Sequence, residues 1–158
     1  MTALKLNIEH IQQSEDIPFD LLALADPSPT QVTSYVRNGR CYVAKLEAKL
    51  IGVFVLAQLD TTTFEIKNIA ITPSEQGKGY GKALLDHAEQ VSKTLGGHQL
   101  KIGTGNSSIG QLALYQKQGF DMARIEKDFF ITHYAEPIFE NGIQCKHMVI
   151  LVKDLGQT

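Results

Sequence analysis

A glycine-rich turn between a strand and a helix is the feature that most constrains this chain. The segment Gln76-Gly77-Lys78-Gly79-Tyr80-Gly81 follows a β-like run that ends at Ile71 and precedes an amphipathic helix predicted to begin near Lys82. Its three glycines let the backbone turn tightly because no Cβ stands in the way. Several backbone N–H groups and the positive end of the helix then converge on one anion. The turn therefore predicts a phosphate cradle.

The spacing of the glycines excludes two common phosphate-binding loops. A Walker-type loop needs a glycine five residues before Gly81 and a Ser or Thr after its lysine, but these positions hold Gln76 and Ala83. The dinucleotide fingerprint G-x-G-x-x-G needs a glycine where the chain has Lys82. The remaining pattern, Q-x-x-G-x-G, closely resembles the pyrophosphate loop of the GNAT superfamily of acetyl-CoA-dependent N-acetyltransferases.

This resemblance extends from about Leu4 to Leu155, and its specific motifs lie between Glu65 and Phe120. It implies an α+β fold with a mixed, mostly antiparallel sheet of about seven strands, splayed centrally, and with helices on both faces. It also implies that acetyl-CoA is the cosubstrate and that the acetyl group passes directly to a primary amine. No metal site is expected, because there is no convergent spacing among His10, His87, His98 and His147.

Composition limits the class of protein. A chain of 158 residues with 43% hydrophobic content is expected to form one domain over residues 1–158. Fifteen basic and seventeen acidic side chains give a net charge of −2, which argues against nucleic acid or an anionic membrane as a partner. Cys41 and Cys145 lack metal-like spacing and are expected to be buried thiols. Since no targeting or membrane segment is evident, a cytoplasmic location is expected.

The hydrophobic periodicity predicts an alternation of strands and helices. A proline-rich break at Asp26-Pro27-Ser28-Pro29 is expected to separate two short helices, and by the resemblance it lies on the acceptor side. Phe129-Phe130-Ile131 is predicted to extend the sheet. The other predicted elements are strands at Leu4–Ile8, Cys41–Leu46, Leu50–Leu59, Phe64–Ile71, Gln99–Thr104, Phe120–Ile125 and Cys145–Val152, and helices at Pro18–Arg37, Lys82–Leu95 and Ser107–Gln118.

The resemblance also assigns residues to the cosubstrate. The backbone of Ile69, Ala70 and Ile71 would pair with the pantetheine arm like an added strand, while their side chains equally suit a packed core. Asn106 resembles an asparagine that contacts CoA in many members, and its alternative role is a helix N-cap. The phosphate loop supplies the remaining predicted contacts, from Gln76, Gly77, Lys78, Gly79, Tyr80, Gly81 and Lys82.

Two residues are candidates for the chemistry. Tyr115 lies in a segment that resembles a family motif whose tyrosine is near the CoA sulfur, where a phenol can protonate the departing thiolate. Its alternative is an amphipathic tyrosine on a core-facing helix. Glu65 matches, in its spacing to the loop, the general base of the histone-acetylating branch. Its alternative is a solvated strand glutamate that pairs with Lys67 or Lys101.

The segment from His133 to Ile143 is long and mixes aromatic with acidic side chains. Tyr134, Glu136 and Glu140 would suit the mouth of a pocket for a cationic amine. The alternative is a hairpin tip or a dimer-contact arm, which leaves a homodimer possible. Two rival functions stay open: an acetyl-CoA-binding regulatory domain without turnover, and an acetyltransferase of protein or peptide amines. The glycine-rich phosphate loop indicates which molecule donates the acetyl group, but it does not indicate which amine accepts it.

Overall fold

The computed structural model describes residues 5–156. Leu4, where the first strand was predicted to begin, lies outside them. The strands are β1 (Leu6–Ile11), β2 (Arg40–Leu46), β3 (Lys49–Gln58), β4 (Thr63–Ile71), β5 (Gln99–Gly105), β6 (Asp121–Glu126), β7 (Ile138–Glu140), β8 (Ile143–Cys145) and β9 (Met148–Asp154). The helices are α1 (Phe19–Ala25), α2 (Pro29–Asn38), α3 (Tyr80–Thr94), α4 (Ile109–Lys117) and α5 (Phe129–His133).

Seven strands form one sheet in the order β1-β2-β3-β4-β5-β9-β6, and β7 and β8 form a separate hairpin. Neighbouring strands of the large sheet are antiparallel except β4 and β5, which are parallel. The predicted mixed, mostly antiparallel sheet is confirmed.

The sheet opens at its centre. β4 pairs with β5 only over Thr63–Ile66, opposite Gln99–Ile102, although β4 continues to Ile71. Beyond that point β5 continues to pair with β9. Within the described part of the chain, residues 67–71 therefore have a backbone edge without a strand partner on the β5 side. The predicted central splay is confirmed.

A β-bulge lies where the two strands separate. Val55 of β3 opposes Asn68, but the next residue, Leu56, opposes Ile66, so Lys67 is the extra residue. A bulge reverses which face later side chains point to. Ile66 packs with the core on one face, and Asn68 then reaches the other face, where its amide bonds to the Leu22 carbonyl at 3.0 Å.

Helices cover both faces, as predicted. Leu84, Leu85 and Ala88 of α3 pack with Tyr115 of α4 in the larger core. On the opposite face, residues of α1 and α2 pack against β2, β3 and β4; they are Leu22, Val32 and Val36. Burying these apolar side chains stabilises each helix against the sheet and fixes where the helix ends lie.

Several predicted boundaries are wrong. Helix α3 begins at Tyr80 rather than Lys82. The predicted last strand is interrupted because the backbone N–H groups of Lys146 and His147 donate to the Asn106 side chain, each at 2.8 Å, instead of to a strand.

The prediction that Phe129-Phe130-Ile131 extends the sheet is also wrong, because these residues form α5. Three apolar residues cannot distinguish a strand from a helical turn. Here Asp128 adopts a left-handed conformation with φ of 60°, and the Thr132 N–H donates to the Asp128 carbonyl at 2.9 Å.

Candidate active site

A cavity of about 360 Å³ lies where β4 separates from β5, between the loop before α3 and the helix α4. We call it the donor cavity. Leu24 and Ala25 of α1 and Leu114 of α4 complete its wall. The predicted cofactor residues that line it are Ile69, Ala70, Ile71, Gln76, Gly77, Gly79, Tyr80, Gly81 and Lys82. Lys78 is not among the lining residues; its ammonium group is exposed and pairs with Glu75 at 3.3 Å.

The loop before α3 lines this cavity with residues whose backbone N–H groups are candidates for binding an anion. Gly77 and Gly79 have φ of 76° and 90°, a left-handed conformation that glycine adopts without strain. The first helical bond of α3 runs from the Ala83 N–H to the Gly79 carbonyl at 3.3 Å. The N–H groups of residues 80–82 therefore have no partner inside the helix. The positive end of a 15-residue helix meets an open concavity here.

Gln76 has a role that the motif alone does not reveal. Its side-chain amide donates to the carbonyl of Ile71 at 2.9 Å. The bond closes the loop onto the end of β4, so the glutamine shapes the cradle through its side chain.

Tyr115 is both a core residue and part of the wall of the donor cavity. It is only 4% exposed and packs 6.2 Å from the ring of Phe120, measured between centroids. Burial raises the pKa of its hydroxyl well above the usual value. The phenol therefore keeps its proton near neutral pH, which suits a proton donor and not a base.

Asn106 lies elsewhere. Its amide donates to the Gln144 carbonyl at 3.1 Å, and its oxygen accepts from the N–H groups of Lys146 and His147. The N-cap prediction is wrong, because Ser108 occupies the N-cap of α4. Asn106 is not among the residues that line the donor cavity, so its contact with CoA stays a prediction.

A second cavity of about 220 Å³ lies on the α1–α2 side of the sheet, and we call it the acceptor cavity. Glu65 lines it and forms an ion pair with Lys67 at 2.9 Å, its side chain 16% exposed. The pairing with Lys67 that the sequence offered as an alternative is therefore present, but the carboxylate is mostly buried. Its role as general base stays a prediction.

A hydrogen-bond network forms one wall of the acceptor cavity. The carboxylate of Asp26 accepts from the hydroxyl groups of Tyr35 at 2.9 Å and Tyr134 at 2.8 Å, and from the N–H of Ser28 at 3.1 Å. The Asn68 amide donates to the Tyr35 hydroxyl at 2.9 Å. Burial, together with the neighbouring carboxylate, raises the pKa of both tyrosines above the usual value. Both phenols thus remain donors to Asp26.

The two cavities are neighbours. Ala25 lines the donor cavity and the next residue, Asp26, lines the acceptor cavity. Consecutive Cα atoms are about 3.8 Å apart. A group held beside Asp26 is therefore close to the end of the donor cavity that α1 forms.

The segment from His133 to Ile143 contributes one residue to the acceptor cavity and forms part of a separate hairpin. Tyr134 lines the acceptor cavity, as the predicted mouth requires. Glu140 instead accepts from the Ser108 hydroxyl at 2.8 Å, and its strand β7 pairs with β8 as a hairpin. Asp26 is not recognisable as a cavity residue from the sequence, because its hydrogen-bond partner Tyr134 is 108 residues away.

Two further findings concern the described residues alone. Across residues 5–156, no helix has the length and apolar character needed to cross a bilayer. In the same range, no cluster of three or more His, Cys, Asp or Glu side chains could hold a metal ion.

Comparison with known proteins identifies the family. Residues 8–120 match the Acetyltransferase (GNAT) family. An uncharacterized N-acetyltransferase of Bacillus subtilis (strain 168), YvbK, is 50% identical over 155 residues, which are 98% of this chain and 100% of that protein. The chain belongs to the GNAT family of acetyltransferases, and the predicted resemblance is confirmed.

Solved structures agree with this fold. A GNAT acetyltransferase from Elizabethkingia anophelis with acetyl-CoA bound has a TM-score of 0.92 and 44% identity, over 94% of this chain and 97% of that one. A Bacillus subtilis acetyltransferase in complex with CoA has a TM-score of 0.90 and 51% identity, over 95% and 99% of the two chains.

Proposed function

We propose that this protein transfers the acetyl group of acetyl-CoA directly to the nitrogen of a primary amine. One observation carries the proposal: the start of α3 and the edge of β4, which no strand of residues 5–156 pairs beyond Ile66 on the β5 side, line one cavity. The next residue after Ala25 in its lining, Asp26, lines a second cavity. Family membership supports the acyltransferase class, and the cosubstrates of the two solved relatives support acetyl-CoA as the donor.

The donor cavity fits this cosubstrate by its chemistry. A diphosphate would accept from the N–H groups of residues 77–82 at the start of α3. The backbone of Ile69, Ala70 and Ile71 would pair with the amide groups of the pantetheine arm. When bound, the thioester supplies the activated acetyl group.

The residues of this chain then divide the chemistry. Glu65 takes a proton from the amine, directly or through water, so that the nitrogen lone pair attacks the thioester carbon. The backbone N–H groups at the Lys67 bulge stabilise the resulting oxyanion. As the C–S bond breaks and the C–N bond remains, Tyr115 protonates the thiolate. Other bases, including a water chain, would serve in place of Glu65.

The test is thiol release from acetyl-CoA, measured with and without a panel of amines, amino acids, aminoglycosides and lysine peptides. Amine-dependent release with an N-acetylated product identified by mass spectrometry is expected. If acetyl-CoA binds but no acceptor elicits release, the regulatory alternative gains support. If only peptides elicit release, the acceptor is a protein amine. Absence of acetyl-CoA binding would refute the proposal.

Three broader predictions remain part of the proposal: one domain over residues 1–158, a cytoplasmic location, and a possible homodimer. Cys41 and Cys145 are both buried and free, as a reducing compartment would permit. Light scattering of the purified protein tests the homodimer.

A further inference from the structure

The acceptor cavity is lined by equal numbers of acidic and basic side chains. The acidic ones are Asp26, Glu65 and Glu126, and the basic ones are Lys67, Lys101 and Arg124. Four of these six neutralise one another in two pairs, Lys67 with Glu65 at 2.9 Å and Arg124 with Glu126 at 3.0 Å. The other two, Asp26 and Lys101, form no ion pair with any residue of the described range 5–156.

Among the basic side chains that line this cavity, Lys101 is the one without an ion pair to a described residue. It is half-buried on β5, and over residues 5–156 it forms no ion pair. Its neighbour across the parallel strands is Glu65, which is committed to Lys67. A partly buried ammonium group facing a cavity is stabilised by an anion within that cavity.

Asp26 is the corresponding anion. A carboxylate has about four acceptor positions, and three are used by the Tyr35 hydroxyl, the Tyr134 hydroxyl and the Ser28 N–H. One position is left for a ligand, and Asp26 lines a cavity that Tyr35, Tyr134 and Phe129 also line. An ammonium group beside a carboxylate and aromatic rings is attracted by both.

The positions of the two charges set the orientation of an acceptor. Asp26 directly follows Ala25, which lines the donor cavity. Lys101 lies on β5 and lines the acceptor cavity but not the donor cavity. The cavity volume of about 220 Å³ corresponds to roughly seven water molecules. That size suits a small molecule.

We infer that the acceptor is a small amine that also carries an anionic group, of the amino-acid class, held with its amine at Asp26 and its anion at Lys101. This inference rests on the proposed acetyl transfer. It goes beyond that proposal by giving the acceptor one positive and one negative end.

The experiment compares matched pairs of acceptors in the thiol-release assay: phenylalanine with phenethylamine, and leucine with isoamylamine. The members of each pair differ only by the carboxylate. We expect kcat/KM for the amino acid to exceed that of the amine by at least tenfold, because a charge-assisted contact is lost with the carboxylate. Equal or faster use of the decarboxylated amines would overturn the inference, while leaving acetyl transfer to amines intact. Absence of release with every amine would instead overturn the proposed function.

Variants at Lys101 test the anion site. Lys101→Met keeps most of the side-chain stem, so packing on β5 is retained. We expect it to raise KM for the amino acids tenfold or more and to change the values for the decarboxylated amines less than twofold. Lys127→Met, in the exposed turn after β6, removes the same charge outside the cavity and serves as the control. Equal effects of the two variants would overturn the assignment of Lys101.

A charge reversal provides a gain of activity that general damage to the fold cannot mimic. Lys101→Glu is expected to disfavour amino acids and to favour diamines such as cadaverine, because the second ammonium group would then meet a carboxylate. Unchanged preference between phenylalanine and cadaverine would overturn the inference.

Discussion

The phosphate cradle is tested most sharply by placing a carboxylate at Gly79 and, for comparison, at Gly96. The two glycines lie at opposite ends of α3 and have nearly the same left-handed φ, 90° and 91°. A Cβ at either position would meet no atom within 4 Å. Any side chain therefore costs about 1 kcal/mol of backbone strain at both positions, without a clash.

The two substitutions differ in what the new charge meets. At Gly79 it faces the place proposed for the diphosphate. Each pair of like charges about 4 Å apart costs about 1 kcal/mol in water and about 4 kcal/mol at a partly shielded surface. A total of about 2–4 kcal/mol corresponds to a Kd for CoA that is about 30 to 700 times higher. Gly96→Asp is expected to change this Kd less than twofold.

The two variants should rank in the opposite order for thermal stability, with Gly79→Asp more stable than Gly96→Asp. A carboxylate at a helix N-terminus is favoured by the helix dipole, whereas one at the C-terminus is disfavoured. Gly79→Asp should therefore unfold at a higher temperature than Gly96→Asp, although it binds CoA more weakly. Calorimetric titration and thermal unfolding measure the two quantities on the same samples. A Kd for Gly79→Asp within threefold of wild type would refute the cradle, as would an equal loss of affinity in Gly96→Asp.

Three further predictions concern titratable groups. Tyr115→Phe should lower kcat by about a hundredfold or more, with the Kd for CoA nearly unchanged, because it removes a proton donor and keeps the packed ring. Glu65→Gln should lower kcat/KM by about a hundredfold, because a neutral amide cannot take the proton of the amine. Burial alone would raise the pKa of Glu89, but hydrogen bonds and charges from Lys153 and Lys93 lower it overall. Its ion pairs should therefore stabilise the fold above pH 4.5 and lose this effect as the pH falls through the lowered pKa. Glu89→Gln should accordingly cost about 1 kcal/mol at pH 7 and progressively less in acid.

Each of these has a result that would contradict it. Unaltered turnover in Tyr115→Phe would reject the tyrosine as proton donor. An unchanged kcat/KM in Glu65→Gln would point to another base. Denaturant unfolding measures the free energy of unfolding of wild type and Glu89→Gln at several acid pH values. The difference between the two proteins should shrink as the pH falls, and a difference that grew would contradict the lowered pKa of Glu89.

Local sequence signals were enough to predict the loop and the helix that line the donor cavity. The glycines at 77 and 79 act through their own backbone conformation, and α3 follows them directly, so the pattern of a few adjacent residues predicts the cradle. Tyr115 was predictable for a similar reason, because its position on α4 makes it both a core residue and a wall of the cavity.

The acceptor side depends on contacts between distant parts of the chain. In the sequence, Asp26 is only part of a proline-rich break. Its place in the cavity wall becomes evident from the hydrogen bonds that the Tyr35 and Tyr134 hydroxyl groups donate to it. The sequence around Asn106 suggested a cofactor contact or a helix cap. It did not indicate the bonds that the Asn106 side chain makes to the N–H groups of Lys146 and His147, which are 40 and 41 residues away. Such pairings are set by tertiary packing, which no local pattern records.

The most direct test of the account is hydrogen exchange of the backbone amides with and without CoA. The cosubstrate is proposed to lie against residues 67–71 of β4, where β5 no longer pairs with it, and against the N–H groups of residues 77–82. Exchange in these two segments should slow when CoA binds, because their amides gain hydrogen-bond acceptors, while exchange in β1 and β2 should stay unchanged. Saturation with CoA that left both segments unprotected would contradict the account.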